Sequence, residues 1–128
     1  MSARIILVLA TASLPGALGA QATAIHREPL ETTDFPGHGL HTLLIRTTID
    51  RGGVIALHVH PGQEVAYVAS GAVEVVIGSV PARRVGAGQS FRVARGTPHS
   101  VRNAGAEPAV VVSTYIVDPF EPLAKPVP

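Results

Sequence analysis

The sequence predicts an all-β domain, a sandwich or a barrel, preceded by an export signal. Valine and isoleucine dominate short segments from residue 40 onward, and turn residues recur about every 8–12 residues between them. Beyond the N-terminal leader, no segment shows the 3.6-residue apolar period of an amphipathic helix. The chain of 128 residues contains no cysteine, so a hydrophobic core must stabilise it in place of disulfides.

Residues 1–22 have the features of a secretory signal peptide. Arg4 gives a basic start, Ile5 to Ala10 form an unbroken apolar run, and Ala20-Gln21-Ala22 fits a cleavage site. The apolar run is short for a bilayer span, and Pro15-Gly16 interrupts it. The alternative is an N-terminal strand or helix of the domain itself. We expect a periplasmic or secreted protein.

The charge balance argues against two classes of partner. The sequence has 10 Lys and Arg against 9 Asp and Glu, and Arg4 is the basic residue lost with the leader. The mature chain would therefore be neutral, which gives no electrostatic basis for binding nucleic acid or an anionic membrane. The lack of cysteine also excludes a thiol nucleophile and a thiolate metal site.

The mature chain divides into an arm, a series of strands and a tail. Residues 23–39 contain two prolines and two glycines and are expected to form an extended arm or loop. Residues 40–118 are expected to form the barrel, and the tail 119–128 holds four prolines and should be extended along the surface, if packed at all. The strands predicted in the barrel are 40–49, 54–60, 64–70, 72–78, 83–85, 90–94, 99–103 and 109–117.

Two histidines and a glutamate are spaced to bind a metal ion. His58 and His60 are two residues apart in a predicted strand, so both rings lie on one face. The chain then turns at Pro61-Gly62, and Glu64 begins the next strand beside them. Two imidazoles and a carboxylate form a facial set that suits Fe, Mn, Ni or Zn and leaves positions open. His99, also at a strand start, could be the fourth ligand, although each residue alone could equally be a surface or hydrogen-bonded group.

The full spacing resembles the two motifs of the cupin superfamily. The first, G-x5-H-x-H-x3-E-x6-G, is matched by Gly52, His58, His60, Glu64 and Gly71. The second, G-x5-P-x-G-x2-H-x3-N, is matched by Gly88, Gly96, His99 and Asn103, with Ala94 in place of the proline. That departure should loosen one turn and removes no ligand.

The resemblance implies a double-stranded β-helix, a jelly-roll cupin barrel, with one divalent transition metal on His58, His60, Glu64 and His99. It also implies a homodimer that exchanges an N-terminal arm from residues 23–50. Asn103 is expected to be a strand-end hydrogen-bonding residue. Tyr67 should lie on the face opposite to Glu64, as a core or interface aromatic.

Three functions compete at this point. The first is a metal-dependent enzyme of the dioxygenase type that acts on a small organic substrate in an apolar cavity. The second is a non-catalytic periplasmic module that binds a small molecule or a metal complex. The third is a structural role, against which the intact ligand set argues. An arginine near the mouth could bind a substrate carboxylate; the candidates are Arg83, Arg84, Arg92, Arg95 and Arg102.

Overall fold

The computed structural model describes residues 25–128, which form two antiparallel β-sheets and no helix. This confirms the predicted all-β fold, while the expected signal peptide, residues 1–22, lies outside the described residues. Within that range no helix is long and apolar enough to cross a membrane. The strands are β1 (Ile25–Phe35), β2 (Leu40–Ile49), β3 (Val54–Val59), β4 (Gly62–Ser70), β5 (Ala72–Ile77), β6 (Arg83–Gly86), β7 (Ser90–Val93), β8 (His99–Arg102), β9 (Ala109–Val117) and β10 (Lys125–Pro126).

The strand order of the two sheets explains how distant residues meet. The first sheet has the order β1-β2-β9-β4-β7 and the second the order β10-β3-β8-β5-β6. Consecutive strands β3 and β4 therefore belong to different sheets, and the chain crosses between the sheets at His60 and Pro61. His60, at this crossing, and Glu64, in β4, face the same interior space.

The core between the sheets consists mainly of small aliphatic side chains. In β4 and β9, buried and more exposed residues alternate, as expected for strands with one face on the core. Each buried valine stabilises the fold by roughly 1.5–3 kcal/mol relative to an exposed one. The largest fully buried aliphatic side chains are those of Ile49, Val68, Val73, Val75, Val85 and Val93.

Two glycines allow close backbone approach beside β9. A side chain on Gly62 would collide with the backbone of Ile116 and would lie 2.7 Å from Val117 Cα. Gly71 has a positive φ of 71°, which favours glycine, and a side chain there would meet the Pro108 carbonyl oxygen at 2.8 Å. Gly62 thus allows β4 to lie tightly against β9, two residues before Glu64.

The arm and the tail are more ordered than a loop or a surface segment. Residues 25–35 of the expected arm are strand β1, which pairs antiparallel with β2. The tail also joins a sheet, because Lys125 pairs with Val59 and Pro126 with His58. The C-terminal segment therefore runs beside the strand that carries the first candidate ligand.

Candidate metal centre

His58 faces the interior because of an irregularity in β3. The pairing of β3 with β8 shifts register between Ile55 and His58, so that His58 lies directly opposite His99. An extra residue in one strand reverses the alternation of side chains, and bulges of this kind often lie next to functional sites. As a result Ile55 and His58, three residues apart, both line the same cavity.

The other two histidines are buried against His58. His60, at the crossing between the sheets, is 5% exposed, and His99 is 1% exposed. The Nε2 atom of His60 lies 3.2 Å from Nε2 of His58 and 3.1 Å from Nε2 of His99. The three histidines form a group that could hold a metal ion.

Hydrogen bonds to backbone carbonyls set the tautomer of all three rings. Nδ1 of His58 lies 2.7 Å from the carbonyl oxygen of Ala56, and Nδ1 of His99 lies 2.9 Å from that of Thr97. Nδ1 of His60 lies 2.6 Å from the carbonyl oxygen of Leu123, in the C-terminal tail. A carbonyl can only accept, so each Nδ1 carries the proton and each neutral ring keeps a lone pair on Nε2. Three lone pairs therefore point at one another.

Glu64 uses its two carboxylate oxygens differently. Oε1 accepts hydrogen bonds from the Ser113 hydroxyl at 2.9 Å and from the Tyr115 hydroxyl at 3.1 Å. Oε2 lies 3.1 Å from Nε2 of His60 and 3.3 Å from Nε2 of His99. One oxygen is fixed by the protein, and the other faces the histidine cluster.

Glu64 is charged and Tyr115 is neutral in this environment. Burial alone would raise the pKa of Glu64, but contacts with His60, His99 and Ser113 outweigh it and hold that pKa well below its ordinary value. Burial, followed by the nearby Glu64 charge, raises the pKa of Tyr115 well above its ordinary value. Tyr115 therefore remains a proton donor to the carboxylate.

The donor set fits a transition-metal ion. Three lone pairs and a carboxylate oxygen that face one another repel unless a cation, either a proton or a metal ion, lies among them. Ligands about 2.1 Å from an ion and at right angles to one another are about 3.0 Å apart. Nε2 of His60 lies 3.1–3.2 Å from Nε2 of the other two histidines, and Oε2 of Glu64 lies 3.1–3.3 Å from Nε2 of His60 and His99, which is close to that spacing. Carbonyls that fix metal-binding rings through Nδ1 are typical of such sites.

A cavity of about 310 Å³ adjoins the cluster. Its volume is at the lower end of the range for small-ligand sites, about 300–1,000 Å³. Most of its lining is apolar, and Arg27 of β1 is the arginine that borders it in the part of the chain described here. None of the five arginines named as candidates to bind a substrate carboxylate lines it. The apolar lining residues are Ile45, Ile49, Ile55, Phe91, Val101, Val111, Leu123 and Ala124.

The structure brings together all four side chains that the sequence singled out, and their role as metal ligands remains a prediction. Asn103 is buried and uses its amide for backbone hydrogen bonds to Ile49, Glu107 and Gly105, as expected for a strand-end residue. Sequence reasoning missed Tyr115 and Ser113. Their alternate spacing in β9 places both on one face, but their contact with Glu64 depends on the β4–β9 register, which pairs Glu64 with Tyr115.

Two sheets with a histidine cluster between them define a double-stranded β-helix with a candidate metal centre. The chain belongs to the cupin domain family, whose model matches residues 45–115. No curated protein matches the chain.

Solved structures share the fold. A conserved protein with a double-stranded β-helix domain from Klebsiella pneumoniae is 26% identical, with a TM-score of 0.65 over 79% of this chain and 84% of that one. The protein TT1209 from Thermus thermophilus is also 26% identical, with a TM-score of 0.62 over 73% and 84% of the two chains. Oxalate oxidase in complex with glycolate is 24% identical, with a TM-score of 0.64 over 81% of this chain and 61% of that one. At this identity the likeness shows the fold alone.

Proposed function

We propose that this protein is an exported cupin that holds one divalent transition metal (Fe, Mn, Ni or Zn) on His58, His60, Glu64 and His99. In this proposal it is a metal-dependent enzyme of the dioxygenase type that acts on a small organic substrate. The observation that carries the proposal is the convergence of three ring nitrogens and a carboxylate oxygen beside a largely apolar cavity. A bound ion of this kind acts as a Lewis acid and, when redox-active, supports oxygen chemistry.

The chain's own residues prepare the site in three ways. The carbonyls of Ala56, Thr97 and Leu123 hold the rings in the tautomer that presents Nε2 to an ion. Ser113 and Tyr115 hold one oxygen of Glu64 so that the other faces the cluster. The apolar walls of the cavity exclude water from whatever binds there, which strengthens electrostatic interactions inside.

A second candidate is a binding module without turnover. Among the described residues that line the cavity, the titratable groups outside the proposed ligand set are Arg27 and Tyr115. Arginine stays protonated, and Tyr115 has a raised pKa and is engaged with Glu64, so neither is suited to act as a general base. This observation favours chemistry that needs little proton transfer by the protein, or no chemistry at all.

One experiment separates these candidates. Purified protein is analysed for metal, reconstituted anaerobically with single metals, and then mixed with phenols and 1,3-diketones while oxygen consumption is recorded. Oxygen uptake that is lost in His58→Ala supports the enzyme. His38 lies in an exposed turn, so His38→Ala is the control and should keep the uptake. Thermal shifts with small ligands in the absence of turnover support the binding module. Protein that takes up no metal under any condition contradicts the metal site and the enzyme, and leaves only a metal-free binding module.

We propose in addition that the protein acts in the periplasm or is secreted, because residues 1–22 have the features of a signal peptide. A homodimer is the proposed assembly. Its support is the resemblance given above and an apolar outer face on the first sheet, where Val65 is 47% and Tyr67 50% exposed.

A further inference from the structure

Arg27 is a charged residue of the cavity that lies outside both cupin motifs. It is in β1, directly opposite Thr47 of β2 in the strand register. Thr47 is 5% exposed and lines the cavity, so Arg27 lies on the cavity side of the sheet, and its side chain borders the cavity while it remains exposed to water. The guanidinium charge is also close enough to Tyr115 to lower the pKa of its hydroxyl, against the larger raising effects of burial and Glu64.

No carboxylate of the described residues 25–128 forms an ion pair with Arg27. Its sequence neighbour Glu28 lies on the opposite face of β1 and pairs with Arg46 at 2.8 Å. Arg51, Arg84 and Arg92 also lack an ion pair among the described residues, and what distinguishes Arg27 from them is its place beside this cavity. Arg27 therefore presents a guanidinium without an ion-pair partner to a cavity whose other charged side chain, Glu64, belongs to the proposed metal site.

The charge inside the cavity favours an anion once a metal is bound. Glu64 and Arg27 cancel each other, so both charges of a divalent ion remain uncompensated. Ser113 and Tyr115 are neutral hydrogen-bonding groups already engaged with Glu64. A neutral ligand that closed the cavity would desolvate Arg27 without giving it a partner, which is unfavourable.

We propose, on the basis of the metal site proposed above, that Arg27 determines specificity by pairing with the carboxylate of a small organic acid. A guanidinium binds a carboxylate through two parallel hydrogen bonds. These bonds set the orientation of the acid, and the positive charge of the guanidinium favours an anionic ligand. An oxygen neighbouring that carboxylate then faces the histidine cluster, and the carbon part packs against apolar lining residues such as Ile55 and Leu123. The ligand class is a short carboxylic acid with a second oxygen donor.

The test compares an acid with its amide on the zinc-loaded full protein. Lactate and lactamide have the same size and differ in charge, and their dissociation constants are measured by titration calorimetry. The wild-type protein is expected to bind lactate at least about tenfold more tightly than lactamide, as a charged hydrogen-bonded pair implies. Arg27→Gln is expected to weaken lactate binding about tenfold or more and to leave lactamide unchanged, and Arg27→Lys to recover part of the loss.

Arg46→Gln is the matched control, since it removes the same charge from the neighbouring strand on the opposite face. It should bind lactate as the wild type does. Zinc content is measured for every variant before titration. Arg27→Gln protein that holds zinc and binds lactate like the wild type overturns this inference and leaves the metal site standing. Loss of zinc from Arg27→Gln also overturns the inference, because Arg27 would then be needed for metal binding rather than for recognition of the acid. A wild-type protein that holds no zinc or other metal overturns the proposed function and this inference together.

Discussion

At the scale of single residues, the position of one proton on each ring decides what the histidine cluster can hold. Because the carbonyls of Ala56, Thr97 and Leu123 occupy the three Nδ1 protons, the Nε2 atoms have none to share in the neutral state. Without a metal ion, the cluster must either take up protons or keep the lone pairs of its Nε2 atoms facing one another, where they repel. A metal ion removes this conflict, so its binding should stabilise the folded protein.

Replacement of His58 by alanine is expected to remove that stabilisation. An ion present at about 100 times its dissociation constant adds about 2.7 kcal/mol, and 1 kcal/mol shifts the melting temperature of a small domain by about 4–8 °C. The metal-loaded wild type should therefore melt about 10–20 °C above both His58→Ala and the chelated wild type. Differential scanning calorimetry with and without chelator measures this. If chelator lowers the melting temperature of His58→Ala as much as that of the wild type, His58 is not a ligand.

Acid should destabilise the metal-free protein in two steps. Burial lowers the pKa of His58 from 6.5, so below about pH 6.5 the unfolded chain binds a proton that the folded one does not, and stability falls. The pKa of Glu64 is lowered from 4.5, so its contribution, complete above that pH, is lost as the pH decreases further. Urea unfolding of chelated protein between pH 8 and pH 4 measures the His58 step and the onset of the Glu64 step. His58→Gln should flatten the step near pH 6.5. A free energy of unfolding that stays constant from pH 7 to pH 5 contradicts the attribution of that step to His58.

The four candidate ligands were predictable because their spacing along the chain is itself the signal. His58 and His60 share a strand face, and Glu64 follows one turn later. Arg27 and Tyr115 gave no such signal. Their roles depend on which strand lies beside which in the sheet, and a residue's cross-strand partner is not written in its local sequence.

At the scale of elements, the C-terminal segment contacts two of the proposed metal ligands. It supplies the carbonyl of Leu123 that binds the His60 ring, and β10 pairs with β3 at His58. The backbone amide of Val127 also donates to the carbonyl of Leu57 at 3.1 Å. Strand β3 lies between β10 and β8, so the tail covers what would otherwise be the open edge beside His58.

Removal of residues 123–128 is therefore expected to weaken metal binding. Loss of an outer hydrogen-bond partner of a ligand typically lowers metal affinity about 10- to 100-fold. Competition with a chromogenic chelator measures the dissociation constant, and circular dichroism checks that the shortened chain keeps its β-sheet. Phe120→Ala is the control, because Phe120 belongs to the same tail and is 93% exposed. An unchanged affinity in the folded, shortened protein would show that the tail does not position His60.

The barrel strands were predictable from sequence, while the arm and the tail were predictable only as extended segments. The barrel strands combine β-branched residues with turn residues at both ends, and the predicted bounds agree with the structure to within two residues. Strand β1 has almost no buried side chain, so no apolar alternation marks it. Its hydrogen bonds to β2 make it a strand, and that pairing is a tertiary property.

At the scale of the whole molecule, the surface indicates which side can pair with a second copy. Strand β1 forms one edge of the first sheet, and it carries a register shift between Pro29 and Glu31 together with several charged side chains. Proline, bulges and charges are the features that protect sheet edges from pairing with another chain. The exchange of this arm between subunits remains a prediction, and these features oppose simple edge-to-edge pairing.

The outer face of the first sheet is better suited to a dimer contact. Tyr67 lies on the face opposite to Glu64, as expected, and is half-exposed rather than part of the core. With Val65 it forms an apolar patch where an antiparallel sheet normally presents polar groups to water.

Tyr67→Glu is therefore expected to convert a dimer into a monomer while metal content stays unchanged, and Tyr67→Phe should remain dimeric. Light scattering coupled to size exclusion measures the mass. A dimer that survives Tyr67→Glu but dissociates when residues 25–35 are removed would show that the arm, and not this face, holds the two copies together.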